Sequence, residues 1–468
     1  MEGVHQDFER LVNWMILDAA DDFNKLLSRY EALPAQIDQV MILMATGVDQ
    51  GIVNHDIAMK SVDLTLEDML VSDPRNSTLY KPFTTFPEGI TQAEAEDFQL
   101  RAQQIIARNI IPAFERLKNY IKDSYVTRPN IAVTSLPDGE ALYQQLLRFH
   151  TTTSLTPQEI HSIGLSEVSR IEDEMAEIVA EVGYDMTVPE FSAMIKNYPS
   201  FFYDNPEDLL EEFQNICFNE VPSQLESLFK NVPNSTLIIE GDDSPDGIGA
   251  LYWGPTYDGS RPGVFYVNTY NYDAQPKYEM VTLSLHEGSP GHHLQKSYSV
   301  ESSNTPFFRR VMDDLNYGMA PSRFPTNTAY TEGWGLYAEA LGFDMALFND
   351  PYDRYGHYSD EIFRACRLVV DTGIHALGWS RQQAVDYVFL HTVLALEEVE
   401  NEIDRYITWP GQALGYKIGG LKIQELRHKA ELALGTNFDI KGFHNIVLDA
   451  SGPLDIVEDE VDAWIQKY

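Results

Sequence analysis

Apolar residues recur every three or four positions through most of the first half of this chain. Phe8, Leu11, Met15, Phe23, Leu26 and Leu27 predict helix over 8–30, closed by Pro34. Further helices are expected over 35–48 and 55–70. Pro74, Pro82 and Pro87 turn 72–89 into a loop. A long helix follows over 91–121 with a kink at Pro112, and another over 140–150. Thr156-Pro157-Gln158-Glu159 reads as a capping signal for the apolar set Ile160, Ile163, Leu165, Val168, Ile171, Met175 and Ile178. Asn205-Pro206 opens a helix towards Phe229. The lone histidines of this half, His55, His150 and His161, are expected to be structural.

At Leu237 the pattern changes. Short β-prone runs, Ile238-Ile239, Gly249 to Trp253 and Gly263 to Thr269, are separated by Gly and Pro and predict a small antiparallel sheet. A strand edge can pair with an extended peptide, which makes Tyr266 and Asn268 candidate substrate contacts; an ordinary packing hairpin is the other reading.

Directly after this sheet comes Leu285-His286-Glu287-Gly288-Ser289-Pro290-Gly291-His292-His293. A His-Glu pair followed by another His is the pattern of zinc hydrolases, in which imidazoles hold the metal and the Glu acts on its water. The usual spacing puts the second His four residues on, whereas His292 and His293 are six and seven on. On a straight helix His292 would lie about 240° round from His286, and His293 about 10 Å further along. Pro290 removes a donor and clashes with the carbonyl of residue 286, and Gly291 relaxes the chain, so a bulge or break is expected there. Two residues absorbed in that break carry His292 to the usual place. His286 and His292 are therefore the expected pair, with His293 the alternative. The competing reading is a helix that stops at Pro290, followed by surface histidines.

Farther on, Glu332 and Glu339 are seven residues apart and share a helical face. Glu332 is the expected third ligand, with Glu339 orienting an imidazole through its free N–H. Gly333, Trp334 and Gly335 make a poor exposed helix and imply close packing. Arg364, Arg367, Asp371 and His375 lie along one more helix and suggest a buried salt-bridged scaffold; the other use of His375 is as a transition-state donor. The stretch 405–419 is polar, aromatic and glycine-rich, which suits a binding loop. In it Tyr416 could donate to an oxyanion, Arg405 or Lys417 could hold a substrate carboxylate, and Gln412 is a further substrate contact.

Composition narrows the partners. The 468 residues carry 33 Lys plus Arg against 72 Asp plus Glu, a net charge of -39 that repels nucleic acid and anionic membranes. Cys217 and Cys366 are the two cysteines, too few for a disulfide framework or a Cys-based zinc site. No run is long and apolar enough for a transmembrane segment. A cytoplasmic or otherwise soluble protein is expected, with secretion left open for a longer precursor; oligomeric state is unspecified.

Leu136-Pro137-Asp138-Gly139, Gly259-Ser260-Arg261-Pro262-Gly263, the His286 to His293 segment, Glu332-Gly333-Trp334, Arg367 to Gly373 and Pro410-Gly411-Gln412 together resemble domain of unknown function family 885. That family looks distantly similar to the helical zinc peptidases typified by angiotensin-converting enzyme and thimet oligopeptidase. The resemblance implies a mainly α, zincin-like metallopeptidase with a deep cleft, a small antiparallel sheet beside the active-site helix, and zinc on His286, His292 and Glu332 with Glu287 as general base. A helical scaffold half over 1–236 and a catalytic half over 237–468 are expected, or one continuous domain. The expected activity is zinc-dependent hydrolysis of short peptides. Its alternatives are a zinc hydrolase of a non-peptide amide or ester, or an idle peptide-binding protein.

Overall fold

The computed structural model describes residues 3–13, 15–244, 249–303, 305–310 and 327–468. It is mainly helical and divides into two compact units, Met1–Gly139 and Glu140–Tyr468. The change of texture at Leu237 marks the start of the sheet inside the second unit.

In the first unit, the helix Ala20–Gln50 runs straight through Pro34, where the sequence suggested a stop. The apolar stripe explains this. Phe23, Leu26, Leu27, Tyr30, Leu33 and Ile37 keep one face across the proline and are all buried, so packing outweighs the one lost backbone bond. Thr78–Phe83, inside the expected loop, forms 3-10 turns that bury Leu79, Tyr80 and Phe83 in the same core. The expected 55–70 helix is two short ones, Asp56–Met59 and Val62–Asp68. The kink at Pro112 is a single widened turn, Ile106–Ile110, which closes with the N–H of Ile111 on the carbonyl of Ile106. The same device, Ile216–Glu220, precedes Pro222 in the second unit. In both places the wider turn accommodates a proline that a regular helix would exclude.

The second unit is built round two helix pairs. Pro157–Glu181, started by the expected Thr156/Glu159 capping box, packs on Pro351–Ala376. Thr328–Asp344 packs on Leu414–Leu434 so closely that a Cβ on Gly419 would lie 1.9 Å from the Ala329 carbonyl oxygen. The helices Met280–Glu287 and His292–Glu301 lie against Thr328–Asp344. Trp334, Tyr337, Leu341, Leu285 and Phe265 form the apolar centre beneath them.

The sheet corrects the antiparallel expectation, because it is mixed. Its order is β1 (Leu237–Asp242), β3 (Gly263–Asn268), β2 (Ala250–Trp253), with β1 parallel and β2 antiparallel to β3. β2 reverses into β3, which then passes between its predecessors and so runs with β1. As the central strand, β3 buries Val264, Phe265, Val267 and Asn268, and reads as a continuous apolar run for that reason. Both of its edges are paired, so β1 and β2 alone carry unpaired edges in this sheet.

Candidate metal centre

The break expected in the His-Glu segment is present. The helix Met280–Glu287 stops, residues 288–291 turn through a cis Ser289–Pro290 bond, and a new helix starts at His292. At Gly291 the chain folds back on the helix it has just left, where a Cβ would stand 2.0 Å from the His286 carbonyl oxygen. No other residue type fits there. The Trp334 indole N–H donates to the Pro290 carbonyl at 2.8 Å and ties this turn to the helix that carries Glu332.

The two histidines are buried, as the surface reading required they not be, and they converge. His286 Nε2 lies 3.6 Å and His292 Nε2 3.4 Å from Glu332 Oε2. Their ligand atoms all lie within 4.8 Å of one another. These separations are long for hydrogen bonds, but an ion about 2.0–2.1 Å from each ligand in a tetrahedral site sets neighbouring ligand atoms about 3.4 Å apart. The donor set and its spacing therefore fit a metal ion. His293 is turned away, between the Tyr252 hydroxyl at 2.9 Å and the Ser235 carbonyl at 3.1 Å, and it is His292 that joins the cluster.

Glu339 stands where the sequence placed it. Its Oε1 is 2.6 Å from His286 Nδ1, so this nitrogen donates to Glu339 and Nε2 is the ring atom directed at the cluster. Gly335, between the two glutamates, is where the imidazole rests: a Cβ there would stand 2.6 Å from His286 Cε1. Burial pulls the His286 imidazole down, but Glu332, Glu339 and Glu287 outweigh it and push it up to about 10. Burial likewise opposes ionisation of Glu332, yet His292 and His286 hold its carboxyl well below the usual range. The site is thus a buried pocket of negative potential that retains positive charge. Glu287, partly exposed at the end of its helix, makes no hydrogen bond to the described residues; its charge reaches both His286 and Tyr252.

Other candidates distribute unevenly. Tyr416 is half-buried: burial above all, with a smaller contribution from Glu332, raises its hydroxyl to about 12, so it remains a proton donor at neutral pH. Arg405 reaches Gln412 Oε1 at 2.7 Å. Lys417, a candidate for a substrate carboxylate, is instead buried on Glu361 at 2.6 Å and Glu167 at 2.8 Å. His375 is fully buried with Nε2 on the Tyr406 carbonyl at 3.0 Å, which fits the scaffold reading and not that of a transition-state donor. Asn268 is also buried and organises the turn after β3, accepting from the Asn271 N–H at 2.9 Å, while Tyr266 on the same strand remains partly exposed. Arg367 is buried and ion-paired as the scaffold reading expected, but the sequence reading missed its partner Glu402, at 3.0 Å; Glu402 lies three residues before Arg405, a spacing that could have flagged it. Of the lone histidines, His55 caps a helix through Nδ1 on the Ala58 N–H, and His161 Nδ1 meets the Thr372 hydroxyl.

Fold and site together define a mainly helical protein with a small mixed sheet and a buried His-His-Glu cluster able to hold a metal ion. The model of a family described as "Bacterial protein of unknown function (DUF885)" matches residues 1–461, and the chain belongs to that family. Among solved structures it is similar to "the putative lipoprotein from Colwellia psychrerythraea", at 28% identity and a TM-score of 0.91 over 100% of this chain and 80% of that one. A lipoprotein of unknown function from Shewanella oneidensis, so described with the same qualifier, shares the fold at 18% identity and a TM-score of 0.69, over 98% of this chain and 81% of the other. No curated protein matches. No helix among the described residues is long and apolar enough to cross a membrane.

Proposed function

We propose that this chain is a zinc-dependent peptidase acting on short peptides. The observation that carries the reading is the meeting of His286 Nε2, His292 Nε2 and Glu332 Oε2, with Glu287 following the first of them in sequence. Two imidazoles and one carboxylate are a catalytic rather than a structural zinc set, because they leave a coordination position open. When bound, the ion would supply an acidified water and a positive charge for the scissile carbonyl. Glu287, next in sequence to the first ligand, would be the carboxylate that accepts a proton from the attacking water and hands it to the leaving amine. Glu339 holds His286 in the tautomer that the site needs. Tyr416, protonated and within the field of Glu332, donates to the oxygen on which charge develops. The resemblance to helical zinc peptidases supports a peptide over another amide as substrate.

The test is cleavage of a defined peptide mixture by the zinc-loaded protein and by Glu287→Gln. The reading predicts turnover that the substitution lowers by about a hundredfold or more while zinc stays bound. Zinc binding with no cleavage, or cleavage that Glu287→Gln leaves intact, would contradict it.

A further inference from the structure

The two imidazoles of the candidate metal centre are supported unequally. His286 donates through Nδ1 to Glu339, but the Nδ1 of His292 is buried with no hydrogen-bond partner among the described residues. Other buried rings nearby are not left so: His293 and His444 each have both nitrogens bonded. A ring that takes an ion on Nε2 keeps its proton on Nδ1, so His292 presents a donor that the fold encloses and does not use. A buried N–H left unpaired costs stability, and a metal-bound imidazole almost always gives its second N–H to an acceptor.

The same helix carries the complementary atom. Gln295 is buried, and its Oε1 has no partner among the described residues either. It follows His292 by three residues in the helix His292–Glu301. Side chains so spaced are neighbours on one face, with Cβ atoms about 5–6 Å apart. Helical side chains lean towards the N-terminus of their helix, which turns Gln295 towards His292. The other end of the amide is engaged, because Nε2 donates to the Tyr330 carbonyl at 3.4 Å and leaves the oxygen as the free acceptor. Tyr330 lies two residues before Glu332 on the helix Thr328–Asp344 and is itself buried, its hydroxyl on the Val447 carbonyl at 3.3 Å. Gln295 therefore joins the helix of one ligand to the helix of another.

We infer that Gln295 is the positioning residue of His292: as the ring takes the ion, its Nδ1–H donates to Gln295 Oε1 while the Tyr330 carbonyl steadies the amide. The inference rests on the metal-binding part of the proposed function and not on its substrate. The two imidazoles then differ in strength. A carboxylate behind His286 makes that ring the more basic ligand, and a neutral amide behind His292 makes it the weaker one. The pairing of one strong and one weak imidazole neutralises less of the ion's charge than two carboxylate-backed rings would, which suits a centre that must polarise an oxygen.

The experiment measures zinc affinity by competitive titration against a chromogenic chelator for wild type, Gln295→Leu and Gln295→Glu, with thermal melts of the zinc-free proteins. Gln295→Leu, which removes the acceptor, should lower affinity about ten- to a hundredfold, and Gln295→Glu, which strengthens it, should raise affinity above that of the wild type. A residue that only braced the two helices through Nε2 would give a different pattern: both substitutions would lower Tm and neither would change the affinity of the folded protein. That pattern, or affinity lowered equally by both, would overturn the inference and leave the metal centre standing. No zinc binding by the wild type would overturn the metal centre and the inference with it. Should Gln295→Leu not fold, nitrogen-15 NMR of the zinc-loaded wild type, labelled at histidine, decides. The His292 Nδ1 proton, identified by its shift in Gln295→Glu, should exchange slowly with solvent; exchange as fast as that of a surface imidazole would overturn the inference.

Discussion

The buried histidines of the second unit fall into two groups, and the difference lies in where their ring nitrogens point. His444 has Nδ1 on the Leu228 carbonyl at 2.8 Å and Nε2 on the Tyr337 hydroxyl at 2.8 Å. His293 is satisfied in the same way by Ser235 and Tyr252. These rings are neutral struts, and burial pulls both down to about 4. His286 and His292 are buried to a similar degree, yet among the described residues their Nε2 atoms face one carboxylate oxygen and no hydroxyl or carbonyl. Burial alone does not mark a ligand; convergent ring nitrogens beside a carboxylate do.

Substituting the glycine on which His286 rests should produce the largest effect short of removing a ligand. Gly335→Ala places a methyl 2.6 Å from the imidazole and should displace it, sharply weakening zinc binding while the protein stays folded. Gly333→Ala, two residues away, meets instead the backbone at Gly419, 2.4 Å off, and should cost a few kcal/mol of stability with binding in the folded fraction retained. Competitive zinc titration and thermal melts of the two variants distinguish these outcomes; equal zinc affinity in both would remove the role assigned to the His286 ring.

Glu339→Gln comes next. It keeps the shape but weakens the hold on His286 Nδ1, and zinc affinity should drop about ten- to a hundredfold in the same titration. His444→Gln should sharpen the contrast from the other side. Metal content should not change, while stability drops by about 1–3 kcal/mol as the Tyr337 and Leu228 contacts are lost.

The same residue also sets a pH dependence. The folded His444 titrates near 4, below the ordinary value of 6.5, so the folded state binds fewer protons than the unfolded one between those values. The stability that His444 contributes is thus complete above about pH 6.5 and is lost as pH falls towards 4, on the order of 2–3 kcal/mol over that span. Denaturant melts at pH 7 and pH 4.5 should show a shallower acid loss in His444→Gln than in the wild type. An unchanged slope would mean that His444 is not held neutral.

What could be read in advance divides along the same line. The break at Pro290 and Gly291, the choice of Glu332 and the contact of Glu339 with an imidazole follow from residue types and spacings within a few helical turns, and the local chemistry of proline, glycine and helical periodicity governs them. Lys417 could not be read correctly, because its partner Glu361 sits 56 residues away and only tertiary packing brings the two together. The parallel pairing of β1 with β3 was hidden for a similar reason: each strand shows its own propensity, but pairing order is set by what covers the sheet. Pro34 misled in the opposite sense, since a local breaker was overridden by an apolar stripe that continues past it.

The central claim is that a His-Glu segment interrupted by proline and glycine still forms one metal site with Glu332. Its most direct test is zinc content by elemental analysis of the purified, zinc-reconstituted protein beside His292→Ala and Glu332→Ala. The account predicts close to one zinc per chain in the wild type and loss of that zinc in both variants, each still folded by circular dichroism. Zinc retained in both variants, or absent from the reconstituted wild type, would contradict it.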